Sequence, residues 1–478
     1  MGSGAIERVA SPVTFALTDN FCYYKSVVTD IDSVLQDQNP WWSDPKRRES
    51  LAFPHRRDVF DRVLTYFGDA NARRAAALLG PRQVGKTTLL LQAIDELLGR
   101  GWPPANITFF DFSDERLTSD VSPREVVASR PVGLSPDVPR AFLFDEIQLA
   151  SGWQNWLKAA VDQSRRDTGP GARLVVTGSA ASSLRHGGVE SGQGRWDEIP
   201  IEGLTFPEFL RLASPPGASL IVRNPQVLDR YLEVGGFPEH LSPETSAREA
   251  RRRIREDIAD RAILRDLLRT GADVERLRRL FVYLVNDSGS TWNQGNRASD
   301  LDANRKTVSE WLSVLEGTCL LTRLERDSHA GMSAKAALRS QPKVFASDHG
   351  LITAFSPHPD PLSNSETRAR VFEAVVFRHL RELARPTNAV LSFGRLDDDL
   401  EVDFIIRYRD TSVGVEVTSS PEARSRKIGR AEETISRLGL TRGLLIHGGV
   451  RAQESGGLSI VPLHEFLLDP ARYAGGSP

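Results

Sequence analysis

Cysteine, methionine and lysine are scarce in this 478-residue sequence, and long apolar runs are missing. The two cysteines, Cys22 and Cys319, have no nearby partner, so their spacing excludes a disulfide framework and a cysteine-ligated zinc cluster and fits a reducing cytoplasm. No run approaches the roughly 18 apolar residues of a membrane-spanning helix. The N-terminus also lacks a basic region followed by an apolar stretch. The sequence therefore predicts neither a membrane span nor a signal peptide.

Charge and composition set few limits on function. The formal net charge of -2 argues against a protein coated in positive charge and leaves room for a local basic face. Only eight lysines accompany the numerous arginines, and Lys86 is one of them. The hydrophobic fraction of 40% and the charged fraction of 26% are typical of globular domains. At this length we expect roughly two to four domains.

A glycine-rich segment, Gly80-Pro81-Arg82-Gln83-Val84-Gly85-Lys86-Thr87, follows an apolar strand predicted at 75–79 and opens a helix predicted from 86 to about 98. Its glycines let consecutive backbone N–H groups turn inward around a phosphate, while the helix presents its positive end. Lys86 would reach the terminal phosphates of a nucleotide, and Thr87 would ligate Mg²⁺. This context predicts ATP and Mg²⁺ as cofactors and disfavours an accidental turn.

A second apolar strand, Ala141 to Phe144, ends in Asp145 and Glu146. Buried strands end where the active face of a sheet opens, so Asp145 is expected to hold Mg²⁺ and Glu146 to polarise the attacking water. The alternative is that the two acids only cap the helix near Trp153.

Two further polar segments are candidates for contact with the nucleotide. The strand Leu174 to Thr177 ends in polar groups, so Thr177 or Ser179 is predicted to contact the water or the γ-phosphate, although Ser179 would serve equally as a helix cap. Arg195 lies in a glycine-rich stretch from which it would reach the γ-phosphate of a neighbouring subunit. A solvated surface arginine is the alternative.

The chain divides into five predicted segments, each with its own pattern. Residues 1–50 form an extension in which Asn39 to Trp42 reads as a turn with exposed aromatics, and alternating strands and helices over 51–215 predict a parallel sheet. Helices dominate 216–274, and short helices followed by a strand over 275–327 indicate a winged-helix-like module. A second α/β unit is predicted for 340–470. Residues 328–341 lack periodicity and are expected to form a mobile loop.

Several of these segments carry the motifs of one family. The chain resembles the prokaryotic AAA-type ATPases that have a C-terminal domain of unknown function with a restriction-endonuclease-like fold. The resemblance runs nearly end to end and rests on these motifs: Asn39-Pro40-Trp41-Trp42, Gly80 to Thr88, Phe144-Asp145-Glu146-Ile147-Gln148, Thr177-Gly178-Ser179, Gly194-Arg195, Leu204 to Phe209, Gly235-Gly236-Phe237-Pro238 and Asp257-Ile258. It implies that Thr88 belongs to the nucleotide loop, that Arg195 is an arginine finger, and that the chain assembles into a homo-oligomer.

The C-terminal segment contains an acidic constellation. Glu373 lies on a predicted helix, and Asp403 and Glu416 lie on predicted strands. This pattern resembles the PD-(D/E)XK nucleases, in which two carboxylates ligate Mg²⁺ and a lysine two residues after the second orients the water. Thr418 occupies that lysine position and cannot supply its charge. Lys427 on the next helix is a candidate replacement.

Basic residues are concentrated in the helical region. Arg251, Arg252, Arg253, Arg255, Arg265 and Arg269 are candidates for contact with a nucleic-acid backbone. A solvated helix face paired with acids is the alternative. The winged-helix-like module, with Asn304 to Lys306 opening its recognition helix, would bind DNA or a protein.

Three hypotheses follow from these observations. The first is a cytoplasmic ATP-driven protein that repositions its helical, winged-helix and nuclease-like parts and acts on DNA or a protein partner. The second is an ATP-gated, Mg²⁺-dependent DNA nuclease. The third is a slow ATP-binding regulatory switch.

Overall fold

The structure is a computed structural model that describes residues 31–46, 53–68, 74–117, 121–129, 131–166, 170–178, 194–213, 225–241, 244–263, 273–328, 340–397 and 400–476. These residues contain an N-terminal α/β unit, a helical segment, a small module with three strands, and a second α/β unit. None of the helices described is both long and apolar enough to pass through a membrane.

Five parallel strands form the first sheet, in the order β2-β3-β4-β1-β5. The strands are β1 Ala75–Leu79, β2 Ile107–Asp111, β3 Arg140–Asp145, β4 Ala172–Gly178 and β5 Trp196–Pro200. The helices of this unit are α1 Ile31–Gln38, α2 Phe60–Gly68, α3 Lys86–Gly99, α4 Pro123–Ala128, α5 Trp153–Arg166 and α6 Phe206–Ala213. Every residue of β1 is buried, as expected for a strand covered on both faces. Because the strands are parallel, the carboxyl ends of β1, β4 and β3 lie side by side.

The N-terminal extension seals the edge of this sheet at β2. Phe109 N donates to Asn39 Oδ1 at 2.7 Å, and Asn39 Nδ2 donates to Phe109 O at 2.8 Å. The indole N–H groups of Trp41 and Trp42 donate to Ile107 O at 3.1 and 2.8 Å. Trp41 is fully buried, so the expectation of exposed aromatics is wrong for that residue. Side chains here satisfy backbone groups that an edge strand would otherwise leave open to another chain.

A helical segment and a small module follow. The helical segment contains α7 Pro225–Val234 and α8 Ala247–Arg253, which continues as a π-helix over Ile254–Asp260. The small module contains α9 Val274–Asn286, β6 Ser290–Thr291, α10 Gln294–Asp300, α11 Arg305–Gly317, β7 Leu321–Leu324, β8 Lys343–Ala346 and α12 His349–Phe355. Strand β8 pairs antiparallel with both β6 and β7, so this module extends beyond the boundary predicted at 340. Residues 329–339, in the predicted mobile loop, lie outside the described residues.

The second α/β unit is built on a six-stranded mixed sheet in the order β13-β14-β12-β11-β10-β9. Its elements are α13 Ser365–Thr387, β9 Val390–Asp397, β10 Leu400–Arg407, β11 Ser412–Thr418, α14 Ser425–Arg437, β12 Arg442–His447, β13 Gln453–Ser455, β14 Leu458–Pro462, α15 Leu463–Leu468 and α16 Pro470–Ala474. Helix α13 packs into an apolar core that continues into the N-terminal unit, while α14 covers a separate core. The helices therefore lie on opposite faces of the sheet.

Asp348 joins three parts of the chain. Its carboxylate accepts hydrogen bonds from Gly236 N, at 3.0 and 3.3 Å to its two oxygens, and from Gly350 N at 2.8 Å. A Cβ at Gly203 or Gly235 would lie 2.1 or 2.2 Å from this carboxylate, so neither position has room for a side chain. The N-terminal unit, the turn after α7 and the start of α12 therefore meet around one buried acid.

We predict that Asp348→Ala lowers the free energy of unfolding by about 2–4 kcal/mol, because it leaves buried backbone N–H groups without an acceptor. Urea unfolding followed by circular dichroism measures the effect. Asp410→Ala, at an exposed aspartate, serves as the control and is expected to change stability by less than about 0.5 kcal/mol. Equal unfolding midpoints for the two variants would contradict the role given to Asp348.

Candidate active site

The loop between β1 and α3 has the backbone of a phosphate-binding turn. Gly85 precedes the helix at φ 92°, and Gln83 also has a positive φ of 61°. Gly80 is pressed against the neighbouring segment, because a Cβ there would lie 1.8 Å from Ile201 O. Glycine is therefore required at Gly80 by close packing and favoured at Gly85 by its backbone conformation.

Lys86 is buried at the mouth of this loop, with 5% of its surface exposed. Its Nζ donates to Gly80 O at 3.0 Å and to Pro81 O at 2.8 Å. Burial lowers the pKa of Lys86, while the negative charges of Glu146 and Asp145 oppose this shift. The loop carbonyls hold the amine close to the turn that would cradle a phosphate.

Three side chains from adjacent elements form a hydrogen-bonded chain beside Lys86. Thr87 Oγ1 donates to Asp145 Oδ2 at 2.6 Å, and Thr177 Oγ1 donates to the other carboxylate oxygen, Oδ1. Burial raises the pKa of Asp145, whereas the hydrogen bonds from Thr177 and Thr87 lower it. The insertion of β4 between β1 and β3 places Thr177 at this position.

Glu146 immediately follows the strand that carries Asp145. Its backbone is left-handed, with φ 49°, and its N–H donates to Thr177 Oγ1 at 3.0 Å. The Glu146 carboxylate accepts a hydrogen bond from Gln148 Nε2. Sequence analysis included Gln148 in a family motif but gave it no role, and its contact with Glu146 shows how the carboxylate is oriented.

A cavity of about 420 Å³ opens in front of the loop. Its lining includes the predicted residues Arg82, Gln83, Gly85, Lys86, Thr87, Thr88 and Glu146. Val84, by contrast, is fully buried in the apolar core.

The helical segment covers this cavity with Pro238, Glu239, Asp257 and Arg261. Arg261 Nη2 lies 3.0 Å from Asp257 Oδ1, and the arginine side chain is largely exposed. Sequence analysis did not predict Arg261 as a site residue. Its position one helical turn after the Asp257-Ile258 motif is the signal that could have identified it.

Arg195 lies away from this cavity. Its backbone oxygen accepts from Ala75 N at the beginning of β1, whereas the phosphate loop follows the end of that strand. The Arg195 guanidinium forms an ion pair with Asp162 at 3.0 Å. The structure therefore does not bring Arg195 to the nucleotide cavity of its own chain. Ser179 lies outside the described residues.

Residues 72–210 match the family model described as an AAA domain. This segment, the AAA-type domain, is similar in sequence to the members of that family. Two further segments match families described only as domains of unknown function: residues 225–362 match DUF8612 and residues 368–466 match DUF4143.

A curated protein of Haemophilus influenzae, described as uncharacterized, is 28% identical over 347 residues, which are 71% of this chain and 80% of that protein. The Thermotoga maritima RuvB Holliday junction branch migration motor is similar at 17% identity and a TM-score of 0.28, over 56% of this chain and 90% of the RuvB chain. The Aeropyrum pernix ORC1 protein in complex with DNA is similar at 16% identity and a TM-score of 0.30, over 68% and 97%. Similarity at these TM-scores carries no inference for this chain.

The AAA-type domain is connected to the C-terminal unit through Glu202, which follows β5. The buried Glu202 carboxylate pairs with Arg378 at 3.2 Å, with Arg381 at 2.6 Å and with Arg385, all on α13. Burial alone would raise the pKa of Glu202, but the three guanidinium groups hold it far below its ordinary value. A cavity of about 550 Å³, lined by Gly80 among others, lies beside this contact.

The C-terminal unit brings together the three predicted acids Glu373, Asp403 and Glu416. Asp403 Oδ2 accepts from Val417 N at 2.8 Å. Burial, together with the charge of Asp403, raises the pKa of Glu416 well above its ordinary value and that of Glu373 to about 8. Asp403 is therefore close enough for its charge to disfavour the ionisation of Glu373 and Glu416.

Two lysines reach into this cluster. Lys343 is buried and pairs with Glu401, and Lys427 Nζ lies 3.9 Å from Glu416 Oε2. Burial alone would lower the pKa of Lys343, but Asp403, Glu401 and Glu373 together raise it. Sequence analysis placed Lys343 in the C-terminal segment 340–470 without a role, whereas the structure places it on β8 of the preceding module.

Within the described ranges, no three His, Cys, Asp or Glu side chains are placed to hold a metal ion. Thr418, at the position where the nucleases have lysine, accepts a hydrogen bond from Ser420 N at 3.4 Å. The acids are instead balanced in part by Lys343 and Lys427.

The raised pKa of Glu373 predicts a dependence of stability on pH. Because the folded chain keeps this proton to about pH 8 and the unfolded chain loses it near pH 4.5, the contribution is complete below pH 4.5 and is lost as pH rises through about 8. Glu373→Gln should reduce the parent's loss of stability between about pH 5 and about pH 8 by at least about 1 kcal/mol. Urea unfolding across that range measures it.

Glu366→Gln is the control, because Glu366 lies on the same helix with 72% of its side chain exposed. This variant should follow the pH dependence of the parent. A Glu373→Gln variant that did the same would show that Glu373 ionises normally in the folded protein.

Proposed function

We propose that this chain binds ATP with Mg²⁺ through residues 80–88, hydrolyses it, and uses the change of nucleotide state to reposition its C-terminal modules on DNA. The observation that carries the proposal is the chain of contacts among Thr87, Asp145 and Thr177 beside the buried Lys86. These four side chains come from three elements, so an accidental glycine-rich turn would not assemble them.

The donor set fits Mg²⁺, which prefers oxygen ligands and is usually held by few protein groups together with phosphates and water. Thr87 Oγ1 and Asp145 Oδ2, already in contact at 2.6 Å, would hold it. When bound, Mg²⁺ would neutralise phosphate charge. Asp145 must be ionised for this role. Burial raises its pKa, while the hydrogen bonds donated by the two threonines oppose this shift and favour the ionised form.

Side chains of the protein would bind the phosphates and accept the proton of the attacking water. Lys86 exchanges its carbonyl partners for the terminal phosphate oxygens, and Glu146, oriented by Gln148, accepts the proton of the attacking water. Arg261 from the helical segment would approach the phosphates from the opposite wall of the cavity. Arg195 would act on the nucleotide of a neighbouring copy, which implies a homo-oligomer.

We expect Lys86→Ala to abolish ATP binding, because it removes the cation of the phosphate loop. Glu146→Gln should bind ATP normally and lower turnover at least about 100-fold, because it removes the base. Fluorescent nucleotide binding and phosphate release measure these effects. Lys46→Ala, at an exposed lysine outside the site, is the control.

Normal ATP turnover by Lys86→Ala or by Glu146→Gln would refute the assignment of these residues to ATP binding and hydrolysis. ATP binding by the parent with no turnover would instead favour a regulatory switch.

The coupling to the rest of the chain would run through the segment after β5. Ile201 N donates to Leu79 O at 2.6 Å, directly before the phosphate loop, and the next residue is Glu202 in its arginine cluster. A shift of Gly80 would therefore press on Ile201 and, through Glu202, on α13. This series of contacts supports the proposal that a change of nucleotide state moves the C-terminal unit.

The small module supports the winged-helix interpretation. Its order α9, β6, α10, α11, β7, β8, with β8 between the other strands, is three helices followed by an antiparallel wing. Helix α11 would be the recognition helix, and Lys306 in its first turn has 87% of its side chain exposed. DNA is the partner that this arrangement favours.

The C-terminal unit supports a restriction-endonuclease-like fold that binds rather than cleaves. One helix, three antiparallel strands, a second helix and a parallel strand follow in that order, from α13 to β12. The acids lie on α13, β10 and β11, as the resemblance implies. Lys343 and Lys427 neutralise part of their charge, and Thr418 cannot supply the charge of the lysine that the nucleases use.

We therefore expect the parent protein to leave plasmid and linear DNA intact in Mg²⁺ or Mn²⁺, with or without ATP. Gel electrophoresis of the DNA measures this. Cleavage by the parent that is lost in Glu416→Gln would overturn this expectation and favour the ATP-gated nuclease.

A further inference from the structure

Helix α14 presents three arginines whose charge is not balanced. Arg424, at its N-cap, and Arg426 and Arg430, in its first two turns, are exposed. Within the described part of the chain, none of the three has an acidic partner at ion-pair distance. The three arginines lie close together in sequence at one end of α14, so their positive charges reinforce one another.

The basic run predicted to contact nucleic acid behaves differently. Arg251 pairs with Glu233 at 2.9 Å, Arg252 pairs with Glu249 at 2.7 Å, and Arg253 pairs with the same Glu249. The charges of these three arginines are balanced by neighbouring acids of the helical segment, which matches the alternative of a solvated, acid-paired face. Arg255 is exposed, and Arg265 and Arg269 lie outside the described residues. A basic surface for a polyanion is therefore better sought on α14.

The three arginines line a cleft of about 350 Å³ together with Lys427. Two acids, Glu401 and Glu416, are among its described lining residues, and each has a lysine partner: Lys343 for Glu401 and Lys427 for Glu416. The positive charge of the three arginines is therefore not neutralised by these acids and can attract an anionic ligand. Electrostatic attraction of this kind is the main source of affinity for phosphodiester backbones.

The lining also indicates the form of the nucleic acid. Among the described residues that line the cleft, Ala431 accompanies the charged side chains and none is aromatic. Proteins that bind single strands usually stack the bases on aromatic rings. Contacts from arginines alone suit the regular backbone of a duplex, in which the bases are already stacked.

We propose that the surface formed by Arg424, Arg426 and Arg430 binds the sugar–phosphate backbone of a nucleic-acid duplex. The inference rests on the proposed action on DNA and names the surface that makes the contact. It places the contact at the mouth of the acid cluster, on the face of the C-terminal sheet opposite α13.

The test is fluorescence anisotropy with the full chain and a labelled DNA duplex at several salt concentrations. The triple variant Arg424→Gln, Arg426→Gln, Arg430→Gln should bind at least about tenfold more weakly, and its log–log salt slope should be smaller by about 3, one for each lost phosphate contact. Unlabelled DNA duplex should compete better than a single strand of the same sequence. An RNA duplex as a second competitor distinguishes the two sources of the same backbone chemistry.

The matched control is Arg100→Gln, Arg252→Gln, Arg437→Gln. It removes the same charge from arginines that are about half exposed and ion-paired, the last of them on α14 itself. Its affinity and salt slope should stay within about twofold of the parent. The proposal is overturned if the parent does not bind the duplex, if the first triple variant binds like the parent, if the control loses as much affinity, or if the single strand competes better.

The ATP site is tested separately in the same proteins. The triple variant on α14 should retain the basal ATP turnover of the parent, because its residues lie outside the nucleotide cavity. Lys86→Ala should retain the binding of duplex while it loses ATP. If the parent bound the duplex normally but did not hydrolyse ATP, the ATPase proposal would be refuted. The proposal that the α14 surface binds a duplex would stand.

Discussion

The buried carboxylate of Asp348 is the interaction on which the arrangement of the modules depends. It accepts N–H groups from the turn after α7 and from the start of α12, and glycines surround it so closely that no Cβ would fit. The same turn leads into Pro238 and Glu239, which line the nucleotide cavity. A residue more than 200 positions beyond the phosphate loop in sequence therefore helps to set the wall that faces it.

Helix α13 is the second shared element. Its basic residues hold Glu202 beside the AAA-type domain, and Glu373 on the same helix lies in the acid cluster of the C-terminal sheet. Since a helix in a packed core moves largely as a rigid body, the two ends of α13 cannot adjust independently. The nucleotide site and the acid cluster are thus joined by one element, and Lys343 from the small module adds a second connection.

Features carried by contiguous residues could be predicted from the sequence. The phosphate loop, the strand ending in Asp145 and the helix Val274–Asn286 have local signals, because glycine pattern, apolar periodicity and chain order are enough to define them. The expected exposure of Trp41 was wrong. Sequence patterns place a tryptophan in a turn at the surface, whereas its burial depends on the unpaired edge of β2, to which its indole N–H donates. Lys343 and Arg261 could not be placed, since their positions depend on tertiary packing between modules that no local pattern encodes.

The π-helical stretch Ile254–Asp260 has a consequence for how this protein can vary. Each backbone hydrogen bond of a π-helix spans one residue more than in an α-helix, and such turns are found frequently at functional sites. Removing one residue to restore regular α-helix would rotate everything after it by about 100° around the axis. Arg261 would then leave the cavity while the packing of the preceding turns stayed intact. Related chains should therefore tolerate substitutions within this stretch far better than a change in its length.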